Sequence, residues 1–531
     1  MTTVSRRAVN LAQLLTHTAQ RCPEATALVD GLTRWTWSTL DRKVTALTEC
    51  LAQRGVRGGD CILLHSPNHL EFVQAMFATW RLGAVLAPTN FRLTPADVVT
   101  IAGICRPKIM LCHGDYLDHA DAVRSAQPLP AGVMWIGTEG ADWVGSIKAA
   151  PATGAPNASV SSDDACWYFF TSGTTGAPKA AVLTHAQMGF VVTNHLSDLM
   201  PGTTQQDVSL VVAPLSHGAG IHLLPQVARG AASVLLSSPG LDTDEVWQLV
   251  EAERVTNMFT VPTILKRLVE APAVTERDHT SLRHVIYAGA PMYAADQEQA
   301  QNTLGDVLVQ YYGLGEVTGN ITVLPPNEHG RPRPAGMQFG TCGYPRTGMH
   351  ISIQSDTGAE LTSGQQGEIC VAGPAVCAGY LNNPAADDAA FRDGWFRTSD
   401  LGVLDEHGYL YVTGRASDMY ISGGSNVHPR DIEEKLLLHP DIAEVAVLGM
   451  PDPTWGEVGV AVCVPRSGSC PDPDELREWL KPKIARYKIP HRFLLWPELP
   501  KSGYGKIVKH SIRLELQTRD RDRPERVGAP S

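Results

Sequence analysis

At 531 residues the chain exceeds one ordinary core, since about 150 residues per domain calls for several folding units. A hydrophobic content of 43% with 19% charged residues excludes bulk disorder. The formal net charge of -11 argues against a nucleic-acid scaffold, which would concentrate Lys and Arg, yet it leaves room for one locally basic phosphate site.

The N-terminus carries Arg6 and Arg7, but Ala8 to Thr16 is amphipathic and ends in no signal-peptide cleavage pattern. From Asn10 to about Gly414, helical patterns such as Asp244 to Val255 alternate with β-branched runs such as Val208 to Ala213, Ser233 to Leu236 and His284 to Tyr287. That alternation predicts α/β architecture with sizeable sheets. Pro and Gly cluster between Gln127 and Pro156, which reads as a long surface connection. A strand at Tyr409 to Val412 leads to a composition change at Gly414 to Asp418, where we place a domain boundary. Beyond it, strands at Glu444 to Leu448 and Gly459 to Val464 and a helix from Asp474 to Ile484, with Asp472 or Asp474 near its N-cap, predict a compact α+β unit. The expected division is a large N-terminal multi-sheet α/β domain over 1–414, a hinge over 415–418, a smaller mobile C-terminal domain over 419–516 and a disordered tail over 517–531.

Eleven cysteines are scattered singly, with no CxxC pair and no zinc-spaced His cluster, which suits a reducing, cytoplasmic setting. No apolar run reaches the roughly 18 residues of a membrane span, and Ala529-Pro530-Ser531 is not a peroxisomal address.

The strongest local signal is Tyr168-Phe169-Phe170-Thr171-Ser172-Gly173-Thr174-Thr175-Gly176-Ala177-Pro178-Lys179. An aromatic strand here runs into a loop of glycines and hydroxyls that ends in a lysine. Such a loop offers backbone N–H groups, hydroxyl donors and a mobile cation to a polyphosphate. It is not a Walker A loop, because Ala177-Pro178 separates Gly176 from Lys179 where Gly-Lys-Ser/Thr would open a helix. A Ser/Thr/Gly loop by itself is more often a plain turn; the whole string reverses that.

Seven further motifs follow in order: Pro214-Leu215-Ser216-His217, Ala288-Gly289-Ala290-Pro291, Tyr311-Tyr312-Gly313-Leu314-Gly315-Glu316, Gly394 to Asp400, Gly414 to Asp418, Ile421 to Gly424 and Leu499 to Lys506. With the loop and its continuation to His185, the chain resembles, over nearly its whole length, the adenylate-forming superfamily. That superfamily includes acyl-CoA synthetases, 4-coumarate:CoA ligases, firefly luciferase and peptide-synthetase adenylation domains. The resemblance implies an acid–thiol ligase that joins a carboxylic acid to AMP and passes the acyl group to CoA, with ATP, Mg²⁺ and CoA as cofactors or co-substrates. Charge gathers on the phosphates in such a reaction, so it needs positioned cations more than covalent groups.

By the same resemblance, Thr171, Ser172, Gly173, Thr174, Thr175, Gly176 and Lys179 hold the β- and γ-phosphates. Glu316 binds the metal, Gly289, Ala290 and Pro291 border the adenine with Tyr312 against it, Gly313 and Gly315 belong to the same cofactor-binding motif, and Asp400 takes the ribose hydroxyls beside Arg415. Lys506 is the cation that meets the attacking carboxylate and the α-phosphate, Ser422, Gly423 and Gly424 line the pantetheine path, and His217 gates the acyl pocket or assists there. Lys506 lies beyond the boundary, so catalysis requires domain docking and rotation about the hinge.

Gly315 departs from the family, which usually has Thr before the acid, and so removes a hydroxyl donor. An enzyme that mainly thioesterifies a pre-formed adenylate therefore stays open, as do a luciferase-like oxygenase and a non-catalytic nucleotide sensor. Small residues at Gly218, Ala219, Gly220, Gly313 and Gly315 suggest room for a fatty, aryl or polycyclic acid. Homodimerisation is open at the family level.

Overall fold

The computed structural model describes residues 9–137, 142–148, 156–172, 178–238, 240–290, 292–332, 334, 340–415, 418–422, 425–501 and 507–521. Two largely parallel sheets dominate the N-terminal domain. The first has six strands in the spatial order Val133–Ile136, Ile109–His113, Cys61–His65, Val85–Thr89, Ala165–Ser172 and Pro178–Thr184. Its central strands are apolar runs buried along their whole length, as a parallel sheet covered on both faces requires. Only the last pair is antiparallel.

The second sheet has seven strands, in the order Leu308–Gln310, His284–Tyr287, Asn257–Thr260, Val208–Val211, Ala232–Leu235, Thr26–Asp30 and Thr33–Thr36. Helices pack between and around the sheets, and Trp37, Trp80 and Trp167 are fully buried in the shared core. A third, antiparallel sheet ends in Trp395–Leu404 and Leu410–Arg415, which leads out to the C-terminal domain.

In the C-terminal domain the long hairpin Ile442–Asp452 and Gly456–Pro465 separates two small cores by simple alternation. Val445 and Val447 face the helices Pro429–Leu436 and Pro473–Leu480, whereas Ala446 and Leu448 face the last helix, Lys509–Arg521. Several of its contacts with the larger domain are polar, among the described residues. Lys266 Nζ donates to Ala443 O at 3.3 Å, Arg466 lies 3.9 Å from Glu270, and Arg430 Nη1 donates to Val412 O at 2.6 Å.

Three expectations need correction. The stretch from Gln127 to Pro156 is not merely a connection, because Val133–Ile136 forms the edge strand of the first sheet and buries Val133, Met134 and Ile136. The helix expected over Asp474 to Ile484 spans Pro473–Leu480 with Asp472 as its cap, and Pro482 cannot continue it. Residues 517–521 are not a disordered tail but the last turns of the helix Lys509–Arg521. Ile512 and Leu516, one turn apart, are buried there, and Arg519 lies over the Trp496 ring at 4.6 Å. No described helix is long and apolar enough to cross a membrane.

Candidate active site

The strands Ala165–Ser172 and Pro178–Thr184 pair antiparallel with Thr171 opposite Lys179 and Ser172 opposite Pro178. The register holds both ends of the hydroxyl-rich loop side by side; Gly173, Thr174, Thr175 and Gly176 themselves lie outside the described residues. From this rim Thr171 Oγ1 donates to Glu316 Oε1 at 2.9 Å. Glu316 sits in the short 3-10 turn Gly315–Val317 and is only 7% exposed, so it is not an ordinary surface acid.

A second hydroxyl reaches the same oxygen: Tyr380 OH donates to Glu316 Oε1 at 3.0 Å. Burial, then the Glu316 carboxylate, pushes the Tyr380 phenol far above its ordinary pKa, so it remains a donor. The same ring lies 5.3 Å from Lys179 Nζ. Tyr380 thus connects the lysine that ends the loop to the buried acid. It enters through a bridge opposite Ala181, with Ala378 and Leu381 donating to the carbonyls of Val182 and Ala180. Sequence reasoning missed it, because no local pattern marks a tyrosine that acts across 64 residues.

The other carboxylate is Asp400, 5% exposed, on the strand Trp395–Leu404 and in register with Arg415 on Leu410–Arg415. Tyr312 OH donates to its Oδ2 at 2.6 Å, and Arg415 Nε to its Oδ1 at 3.0 Å. Each oxygen keeps acceptor capacity for another donor. Burial, followed by the Asp400 charge, holds the Tyr312 phenol well above its usual range. Tyr312 and Asp400 are therefore in direct contact, while Glu316, four residues after Tyr312, bonds instead to Thr171 and Tyr380.

His217 stands at the N-cap of the helix Gly218–Arg229, its ring 4.6 Å from Phe169. Burial drives its pKa down to about 4, so the ring is neutral near pH 7. Nδ1 lies 2.9 Å from Ser216 O, a geometry in which Nδ1–H donates and Nε2 carries the basic lone pair. Gly289 adopts a left-handed φ of +85° beside Ala290; Pro291 lies outside the described residues. Ser422 ends its strand buried, opposite Ser425, and Gly423 and Gly424 are likewise outside. Lys506 is in the undescribed segment 502–506, whose base is closed by a bridge between Lys501 and Ile507.

Each glycine that suggested a roomy acyl pocket is closely approached by a neighbour, so its small size is not by itself a sign of open space. A Cβ on Gly218 would lie 2.5 Å from the Phe259 ring, and one on Gly315 would lie 2.5 Å from Phe169. Gly313 is pressed against the Gly319 backbone and Gly220 against Leu215 O. These residues are small because neighbours occupy the space.

A family profile described as AMP-binding enzyme matches residues 15–381, and one described as AMP-binding enzyme C-terminal domain matches 431–506. A feruloyl-CoA synthase of Amycolatopsis sp is 35% identical over 93% of this chain and 96% of its own. The long-chain-fatty-acid–CoA ligase FadD13 of Mycobacterium tuberculosis is 31% identical over 95% and 98%. Among solved structures, ATP-bound MatB from Rhodopseudomonas palustris superposes with a TM-score of 0.85 at 27% identity, covering 96% of this chain and 99% of that one. The chain belongs to the AMP-binding enzyme family and is an AMP-forming acid–CoA ligase.

Proposed function

We propose that the two buried carboxylates divide the nucleotide between them, Glu316 serving the phosphate end and Asp400 the ribose. The observation that carries this reading is that each is held by donors from distant parts of the chain, Thr171 and Tyr380 for one, Tyr312 and Arg415 for the other. The ribose hydroxyls take the remaining acceptor positions of Asp400, and Tyr312 lies along the adenine beside Gly289, Ala290 and Pro291. Thr171 to Gly176 and Lys179 hold the β- and γ-phosphates.

A hard carboxylate already ringed by hydroxyl oxygens fits an oxygen-seeking divalent ion. Glu316 would hold Mg²⁺ there, and the ion would offset charge on the polyphosphate. Lys506 approaches from the C-terminal domain and neutralises charge between the acid and the α-phosphate. After rotation about 415–418, Ser422, Gly423 and Gly424 line the path by which the CoA thiol reaches the acyl carbonyl. Neutral His217, with Nε2 basic, borders that carbonyl. A cytoplasmic setting, where ATP and CoA are available, suits eleven cysteines that are all free thiols.

The test separates the half-reactions. Lys506→Ala is expected to lower acid-dependent pyrophosphate exchange by about a hundredfold to a thousandfold while sparing thioesterification of a synthetic acyl-adenylate. Equal loss in both assays would remove Lys506 from the adenylating role.

A further inference from the structure

Beside the stacked rings of Phe259 and Tyr311 lies a buried cation without an ion-pair partner among the described residues. Tyr311 immediately precedes Tyr312, and its ring stacks on Phe259 at 6.0 Å and 20°. Phe259 in turn closes over Gly218, next to His217, so Tyr311 backs the region assigned to the acyl group. The Arg346 guanidinium lies 5.9 Å from the Tyr311 ring, and the residue is 1% exposed.

Its Nε donates to Asn194 Oδ1 at 2.6 Å and its Nη2 to His195 Nδ1 at 3.1 Å, both neutral groups. A π-helical turn, His195–Leu199, begins where these two acceptors stand. Nη1 has no partner, and no carboxylate is within ion-pair distance of Arg346, among the described residues. The acid that acts on it, Asp198, is engaged elsewhere by Thr347 N at 2.7 Å and Asn194 Nδ2 at 3.2 Å.

A second unpartnered group is adjacent. Asn320 is fully buried, and neither its Nδ2 nor its Oδ1 has a partner among the described residues. It follows Gly319, where a Cβ would overlap the Tyr311 ring, and it precedes Ile321, whose carbonyl accepts from Arg346 N at 3.0 Å. Arg346 and the backbone at Gly319, next to Asn320, thus both border the Tyr311 ring. A buried guanidinium lacking a counter-charge and a buried amide lacking both partners are each costly, and one anionic ligand between them would satisfy both.

We propose that the acid activated by this enzyme carries a second carboxylate, received at the far end of the acyl pocket by Arg346 and Asn320. The substrate class is a dicarboxylic acid, with one carboxylate adenylated and the other held by the buried cation. This rests on the acyl-pocket reading of the region between His217 and Tyr311.

The test compares chain-matched pairs, adipate with hexanoate and terephthalate with 4-methylbenzoate, in CoA-thioester formation and in thermal melting with ATP present. A site built to bind a polar group rejects the analogue that lacks it, so wild-type kcat/KM should favour at least one diacid over its partner by about a hundredfold or more. That diacid alone should raise the melting temperature. Arg346→Met should abolish the preference and the melting shift, lowering kcat/KM for the diacid at least about tenfold more than for the monoacid. If Arg346→Met does not fold, Asn320→Asp, which sets a like charge against the incoming carboxylate, should lower diacid turnover selectively. Preference for the monoacids, or equal loss for both acids in the variant, overturns the proposal. If no acid is turned over, the acyl-pocket reading fails, while a diacid melting shift lost in Arg346→Met still supports a carboxylate site and its absence in wild type rejects one.

Discussion

Glu316 receives both of its hydroxyl donors on one oxygen, one from Thr171 at 2.9 Å and one from Tyr380 at 3.0 Å. A hydrogen bond to a charged group contributes about 1.5–3 kcal/mol, so Tyr380→Phe should lower kcat/KM for MgATP by about tenfold to a hundredfold. The ring that faces Lys179 is kept in that variant. Tyr380→Leu removes it too and should cost more, and equal rates for the two would show that only the hydroxyl matters. Gly315 has a different constraint. Phe169 fills the space of a side chain at 315, so Gly315→Thr alone should lower stability by about 1–3 kcal/mol, read as a fall in melting temperature. Phe169→Leu with Gly315→Thr should recover it and exceed Phe169→Leu alone in pyrophosphate exchange. A wild-type melting temperature for the single variant would contradict the packing argument.

Elements were legible where the pattern is local. His284–Tyr287 follows directly from its β-branched run, and of the two candidate caps Asp472 and Asp474 it is Asp472 that caps its helix. The edge strand Val133–Ile136 was not, because four residues between Leu129-Pro130 and Gly137 make too short a run to outweigh their neighbours. The site divides in the same way. Thr171, Lys179, Glu316 and Asp400 lie in contiguous motifs, whereas Tyr380 and Arg346 acquire meaning only through contacts that folding creates; the Arg346–Asn194 pair spans 152 residues. A similar gathering occurs where two parallel strands end, at His65 and His113, with His69 capping the next helix and His119 stacked on His65 at 4.6 Å. Burial, and then the neighbouring histidines, lowers His65 to about 3 and His69 to about 4. The folded state keeps these rings neutral, whereas the unfolded chain protonates them below about pH 6.5. Their contribution is intact above that pH and is lost on descent toward pH 4, at about 1.4 kcal/mol per pH unit for each ring. Burial also lowers His185, His222 and His284 to about 4, so the decline is shared. The urea midpoint should fall steadily from pH 6.5 to 4.5, and His65→Gln should flatten the slope by one such increment; a flat wild-type profile would refute this account.

At the scale of the whole molecule, several of the contacts between the domains are polar, among the described residues. Lys266 Nζ meets Ala443 O, Arg466 faces Glu270 at 3.9 Å with both side chains more than a third exposed, and Arg430 reaches Val412 O. An exposed pair such as Arg466–Glu270 contributes about 0–1 kcal/mol, so it can be made and broken at little cost. The proposed roles of Lys506 and the Ser422 to Gly424 segment, serving the same acyl group in turn, would require that. Glu270→Arg replaces the attraction to Arg466 by repulsion and should depopulate this arrangement by up to about tenfold. Neither residue touches the nucleotide carboxylates, so the chemistry of each half-reaction is unchanged. Pyrophosphate exchange and thioesterification of a synthetic adenylate should then move apart: the half-reaction that uses this docking slows, and the other holds or quickens. Arg466→Glu in the same chain restores an opposite pair and should bring the two rates back toward wild type. Parallel loss in both assays, or failure of the charge swap to restore the ratio, would show that this contact does not govern the balance between the two half-reactions.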